Sequence, residues 1–93
     1  MAEENIHLVI MSPEKTLFDG KVSYVRLPGS KGEFTVFINH APLISSLDAG
    51  VIEFESEKTK TQIAVTSGFV EVNNNKISTC VTEDPKQTAD TTK

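Results

Sequence analysis

Val51-Ile52-Glu53-Phe54-Glu55-Ser56 alternates apolar and polar residues, Glu57-Lys58-Thr59-Lys60 interrupts it with charge, and Thr61-Gln62-Ile63-Ala64-Val65-Thr66 resumes β-rich sequence. Period-two alternation on both sides of a short polar break is the pattern of a β-hairpin. Immediately downstream, Phe69-Val70-Glu71-Val72 and Lys76 to Val81 flank Asn73-Asn74-Asn75. This is a second hairpin, because Asn tolerates the positive φ that its turn requires.

The same reading extends upstream. Ile6, Leu8 and Ile10 alternate with His7, Val9 and Met11, giving a first strand with apolar residues on both faces, ended by Ser12-Pro13-Glu14-Lys15. Leu17-Phe18-Asp19-Gly20 reads as a turn feeding a strand from Lys21 to Leu27. Pro28-Gly29-Ser30-Lys31-Gly32 reads as a loop, and Glu33 to Ile38 as a strand with Phe34, Val36 and Ile38 on one face. Leu43 to Leu47 follows the Asn39-His40-Ala41-Pro42 turn, and Asp48-Ala49-Gly50 is the next punctuation. No helical periodicity is present. Many short strands separated by turns predict an all-β chain, a sandwich or barrel, from residue 1 to 82. The tail from residue 83 to 93 is polar and contains Pro85, and is expected to be disordered.

Bulk composition narrows the function. The chain has 93 residues, enough for one domain. Its net charge is -4 with nine scattered basic residues, which argues against nucleic acid. No stretch approaches the ~20 apolar residues of a membrane-spanning helix, and no signal peptide is visible, so a soluble, cytoplasmic protein is expected. The single cysteine, Cys80, lies in a strand-like run and is expected to be a small buried hydrophobe. His7 is expected to be a half-buried packing residue.

Chemistry is thinly represented. Two histidines and one cysteine fit no metal-ligand spacing, and Gly29-Ser30-Lys31-Gly32 leads into a strand rather than the helix that a phosphate cradle needs. Ser45 and Ser46 lack a nucleophile-elbow context. Glu33 and His40 could be taken as an acid–base pair. A straight six-residue strand would separate them by roughly 20 Å, at ~3.3 Å per residue, which opposes shared chemistry. The simpler readings are a solvated edge carboxylate for Glu33 and, for His40, a turn histidine bonded to backbone.

Taken in order, Ser12-Pro13-Glu14-Lys15-Thr16-Leu17-Phe18-Asp19-Gly20, Val22-Ser23-Tyr24-Val25-Arg26-Leu27-Pro28-Gly29, Gly32-Glu33-Phe34, Asn39-His40-Ala41-Pro42-Leu43, Ala49-Gly50-Val51-Ile52 and Ser67-Gly68-Phe69-Val70-Glu71-Val72 resemble the N-terminal domain of the epsilon subunit of F-type ATP synthase. The resemblance runs from about Ile6 to Thr82. It implies a β-sandwich of about ten short strands. It also implies a non-catalytic rotor subunit that binds the gamma subunit and rests on the c-ring, coupling proton translocation to ATP synthesis. Such a subunit needs no cofactor. Its place is in the F1 sector, peripheral on the cytoplasmic side of the cell inner membrane. By residue match, Glu33 and His40 become partner contacts at the c-ring end. The gamma-facing side would be apolar, with Met11, Phe37 and Leu43 as candidates. The chain departs from the family pattern at Thr35, Asn39 and Ser67, where glycines are usual. It also lacks the C-terminal helical hairpin of many members, so a naturally short form is expected. The alternative is a free-standing β-sandwich that binds a peptide or small ligand.

Overall fold

The computed structural model describes residues 5–83. The tail expected to be disordered, apart from Glu83, lies outside them. Eight strands follow in order: β1 (Ile6–Met11), β2 (Thr16–Val22), β3 (Tyr24–Leu27), β4 (Phe34–Val36), β5 (Leu43–Leu47), β6 (Gly50–Ser56), β7 (Thr59–Asn73) and β8 (Lys76–Glu83). No helix occurs among the described residues. The sheet order is β2-β1-β8-β7-β6-β3-β4, with β5 also pairing β7. All pairings are antiparallel except β1 with β8.

The organising element is β7, which is 15 residues long. The two strands expected at Thr61–Thr66 and Phe69–Val72 are one strand, and the described residues form eight strands where the family implies about ten. Its first half pairs with β6, from Thr59↔Ser56 to Val65↔Gly50. Its second half pairs with β5, from Gly68↔Leu47 to Val72↔Leu43. A register shift between Val65 and Ser67 marks a bulge, which bends the strand. The ribbon β5–β6–β7 therefore turns a corner, with β1, β2, β5 and β8 on one side of it and β3, β4 and β6 on the other. Gly68 is essential to this corner, since a Cβ there would lie 2.4 Å from the Cys80 carbonyl oxygen.

One face of each layer points inward. Ile6, Leu8, Ile10, Val70, Val72, Ile77 and Val81 from one layer meet Val25, Leu27, Val36, Ile52, Phe54 and Val65 from the other, all buried. Phe18 of β2 and Phe54 of β6 pack with ring centroids 4.3 Å apart. The His7, Val9 and Met11 side of β1 is not equally apolar in practice. His7 is exposed, and Val9 and Met11 are half-buried.

Several expected boundaries shift. Asp19-Gly20 is no turn but the middle of β2, opposite Val9 and Leu8; the break comes at Ser23 instead. The hairpin turn at Glu57–Lys60 contracts to Glu57-Lys58, at φ 52° and 67°. Positive φ at both central residues is the mirror-image turn that matches strand twist. Asn74 and Asn75 do the same at φ 52° and 61°, and Asn39 reaches φ 63° in place of the family's glycine. Strand β4 is three residues, not six, because the chain turns at Ile38-Asn39.

Thr79 is fully buried, between Ile10 of β1 and Val70 of β7, and its hydroxyl has no hydrogen-bond partner among the described residues. An unpaired buried hydroxyl costs about 1–3 kcal/mol. Thr79→Val, which keeps the branched shape, is expected to raise stability by about 1 kcal/mol. A higher urea midpoint at unchanged slope would show it.

Candidate functional site

The two outer faces differ in chemistry, and register explains how. On the β3–β4–β6–β7 face, Gln62 lies opposite Glu53, Glu53 opposite Arg26, and Arg26 opposite Thr35. Glu53 is the hub. It accepts hydrogen bonds from the Tyr24 hydroxyl at 2.7 Å, Gln62 Nε2 at 3.1 Å and Arg26 Nη2 at 3.2 Å. Its side chain is only 12% exposed. Ser23 binds the neighbouring Glu55 carboxylate at 3.1 Å, and the Tyr24 ring stands 6.2 Å from that of Phe37.

Donation from Tyr24 and Gln62, reinforced by the Arg26 and Lys60 charges, holds the Glu53 carboxyl below its ordinary value of 4.5, against a smaller opposing effect of burial. The same bond, more than burial and the Glu53 and Glu55 charges, pushes the Tyr24 phenol above its ordinary 10.0.

The opposite outer face, built by β1, β8, β7 and β5, carries an apolar band. Register aligns Met11, Cys80, Phe69 and Ser46 in one row, and Val9, Ser78, Glu71 and Ile44 in the next. Ile44 is 77% exposed and Phe69 54%. Beside Phe69 lies an open groove of about 620 Å³, lined mainly by Met11, Pro13, Gly68, Phe69, Cys80 and Val81. Cys80 is a free thiol and only half-buried, unlike the buried hydrophobe expected, because it faces this band rather than the core. His7 is likewise no packing residue. It contacts Asp19 at 2.6 Å on the solvent side, since register puts both on that face.

The two residues singled out from the sequence are not brought together. Glu33 precedes β4 at the corner end, where Gly29 bridges Leu47. It is exposed, and its Oε2 lies 3.5 Å from Arg26 Nε. His40 follows the turn beyond the other end of β4. There Asn39 exchanges hydrogen bonds with Asn75, whose hairpin closes the far end of the sandwich. The Nδ1–H of His40 donates to the Ala41 carbonyl at 2.7 Å, as the turn reading expects. Glu33 and His40 thus flank β4, one at each end. Among the described residues no group of three His, Cys, Asp or Glu stands close enough to hold a metal. No helix there is long and apolar enough to cross a membrane.

Of the apolar candidates, Phe37 is exposed at 58%, while Met11 and Leu43 are half-buried. Ile44, Phe69 and Glu53 were missed. A signal for Glu53 existed, since a two-residue turn at Glu57-Lys58 pairs it with Gln62.

Residues 5–83 match the family described as the ATP synthase, Delta/Epsilon chain, beta-sandwich domain. The chain belongs to that family. An ATP synthase epsilon chain from Sulfurovum sp. (strain NBC37-1) is 42% identical over 81 residues, covering 86% of this chain and 62% of that protein. One from Lawsonia intracellularis (strain PHE/MN1-00) is 37% identical over 76 residues, covering 82% of this chain and 57% of the relative. The chain thus spans about three fifths of the length of these relatives. By structure it is similar to a chain of the Euglena gracilis mitochondrial ATP synthase OSCP/F1/c-ring assembly, with a TM-score of 0.81 at 21% identity over 98% of this chain and 63% of the other. A chain of the Tetrahymena thermophila mitochondrial ATP synthase central stalk and c-ring gives 0.71 at 15% identity, over 89% of this chain and 67% of that one. At these identities the likeness is one of fold.

The Glu53 network sets a pH dependence. A carboxyl held low stabilises the fold above its unfolded value of 4.5, and that stability is lost as pH falls through the lower folded value. For Tyr24, held high, the contribution is present below 10.0 and is lost as pH rises through the folded value. Urea midpoints should therefore fall on both the acid and the far alkaline side. Tyr24→Phe is expected to lower the neutral plateau and flatten both slopes. Slopes identical to those of the parent would remove Glu53–Tyr24 as their source.

Proposed function

We propose that this protein is a non-catalytic central-stalk subunit of an F-type ATP synthase. In this reading it binds the gamma subunit, contacts the c-ring and helps couple proton translocation to ATP synthesis. It is peripheral to the membrane, held on the cytoplasmic side through the complex. The observation that carries the reading is the apolar band on the β1–β8–β7–β5 face. Exposed aromatic and branched side chains set among half-buried apolar neighbours make a surface suited to a protein partner. Membership of the family supports naming that partner as gamma. The opposite face already satisfies its own polar groups and has less to gain from burial.

Glu33 and His40 are proposed as partner contacts at the c-ring end. Because they lie at opposite ends of β4, they act as two separate points. Glu33 is exposed at the corner, where a carboxylate forms charge-assisted hydrogen bonds with basic loop groups.

The apolar groove beside Phe69 supports a second reading, a free-standing module for a peptide or small ligand. Co-purification separates the two. Gamma subunit is expected to retain this chain, and Phe69→Ser or Ile44→Ser to weaken retention by roughly tenfold or more, as for anchor residues at interface centres. No retention of the parent chain would sink the rotor reading and leave the module.

Glu33→Lys is expected to leave the domain folded and to reduce proton pumping per ATP hydrolysed in membrane vesicles. Normal pumping would make Glu33 an edge residue only.

A further inference from the structure

We propose that Arg26 is a positioning residue that holds the Glu33 carboxylate in the orientation in which it meets a basic side chain of its partner. This rests on the reading of Glu33 as a c-ring contact. The geometry is a relay across three strands and the loop before β4. Gln62 of β7 and Tyr24 of β3 bind Glu53 of β6, which is nearly covered. Glu53 Oε1 fixes Arg26 through Nη2 at 3.2 Å, and Arg26 Nε then reaches Glu33 Oε2 at 3.5 Å.

Pairing makes that reach specific. Arg26 lies opposite Thr35, so Glu33 is its diagonal neighbour on the same face, within range of two long side chains. A guanidinium presents its donors in a fixed fork, so anchoring one nitrogen aims the others. Without this anchor Glu33, 58% exposed in the loop before a three-residue edge strand, would sample many rotamers. Holding it in advance removes part of the ordering cost that docking otherwise carries.

The charge count leaves the carboxylate available. Glu53 and Glu33 carry two negative charges against the single positive charge of Arg26, so the cluster keeps one negative charge in excess. A carboxylate offers about four lone-pair sites, and Arg26 contacts Glu33 at Oε2 only. That leaves Oε1 for a donor of the partner. The occupant that balances the excess is a lysine or arginine side chain.

The test is a double-mutant cycle. The full chain, in complex with gamma, is titrated against detergent-solubilised c-ring. Arg26→Gln makes the site more negative, so a role confined to charge would tighten binding to a basic group. Positioning instead predicts weakening by roughly three- to tenfold, with the effect gone in a Glu33→Gln background, since interaction between two residues appears only as non-additivity. Arg26→Lys, which keeps the charge but loses Nε–H, should weaken binding to a smaller degree with the same dependence on Glu33, and serves if Arg26→Gln melts early. Tighter binding, no change, or equal weakening with and without Glu33 would overturn the positioning role. Normal binding by Glu33→Gln alone would instead remove the c-ring reading of Glu33, and the role of Arg26 with it.

Discussion

The corner in β7 is the constraint on which the rest of the molecule depends. A strand that pairs with β6 in its first half and with β5 and β8 in its second must change direction between Val65 and Ser67. It does so where Gly68 lets the backbone approach the Cys80 carbonyl more closely than any side chain would allow. The opposing strand breaks at the same level, between Leu47 of β5 and Gly50 of β6, where a Cβ would lie 2.7 Å from Pro28. Both strands of the ribbon therefore carry glycine at the bend because space is short there. Straightening either would unstack the layers and expose Val65, Val70 and Leu47, which are almost wholly buried.

That bend also explains what was legible in the amino-acid sequence and what was not. Alternation exposed the all-β class and both hairpins, because side-chain period and turn residues are local properties. The continuity of β7 was hidden, because Ser67-Gly68 has the composition of a turn while lying within the strand, next to a bulge at Thr66. Asp19-Gly20 misled in the same way. Gly20 sits inside β2 against the Phe18 ring, where an added Cβ would lie 3.1 Å from it. In both places glycine answers to close packing within a strand rather than to a turn between strands, and only tertiary contacts distinguish the two. The Asn39 turn was readable because its demand, positive φ, is a local backbone property that Asn meets without glycine.

The candidate surface was less legible because it is made by pairing rather than by motif. Ile44, Phe69, Cys80 and Met11 are far apart in the chain and become neighbours only through the β1–β8–β7–β5 register. Glu33 and His40 are close in sequence, and that proximity invited a common role. Yet a three-residue strand followed by a turn at Ile38-Asn39 is enough to send them to opposite ends. The resemblance to the epsilon family implied a shared role for both, while their placement at the two ends of a three-residue β4 comes from its register with β3.

The two outer faces follow one rule with opposite outcomes. Strand residues facing out must satisfy their polar groups or be covered. On β3, β4 and β6, Glu53 gathers three donors, and most of its surface is removed from water without a partner. Docking a second protein over that network would have to replace bonds already made, which contributes little net affinity. On β1, β8, β7 and β5, Phe69 and Ile44 have nothing to bond, and covering them gains about 25 cal/mol per Å² of apolar surface. The difference supports the proposed docking face, though Phe37 and Val51 are exposed on the bonded side as well. In the proposed reading the duties are separate: the apolar band supplies affinity, while Glu33, at the rim of the bonded face, supplies register.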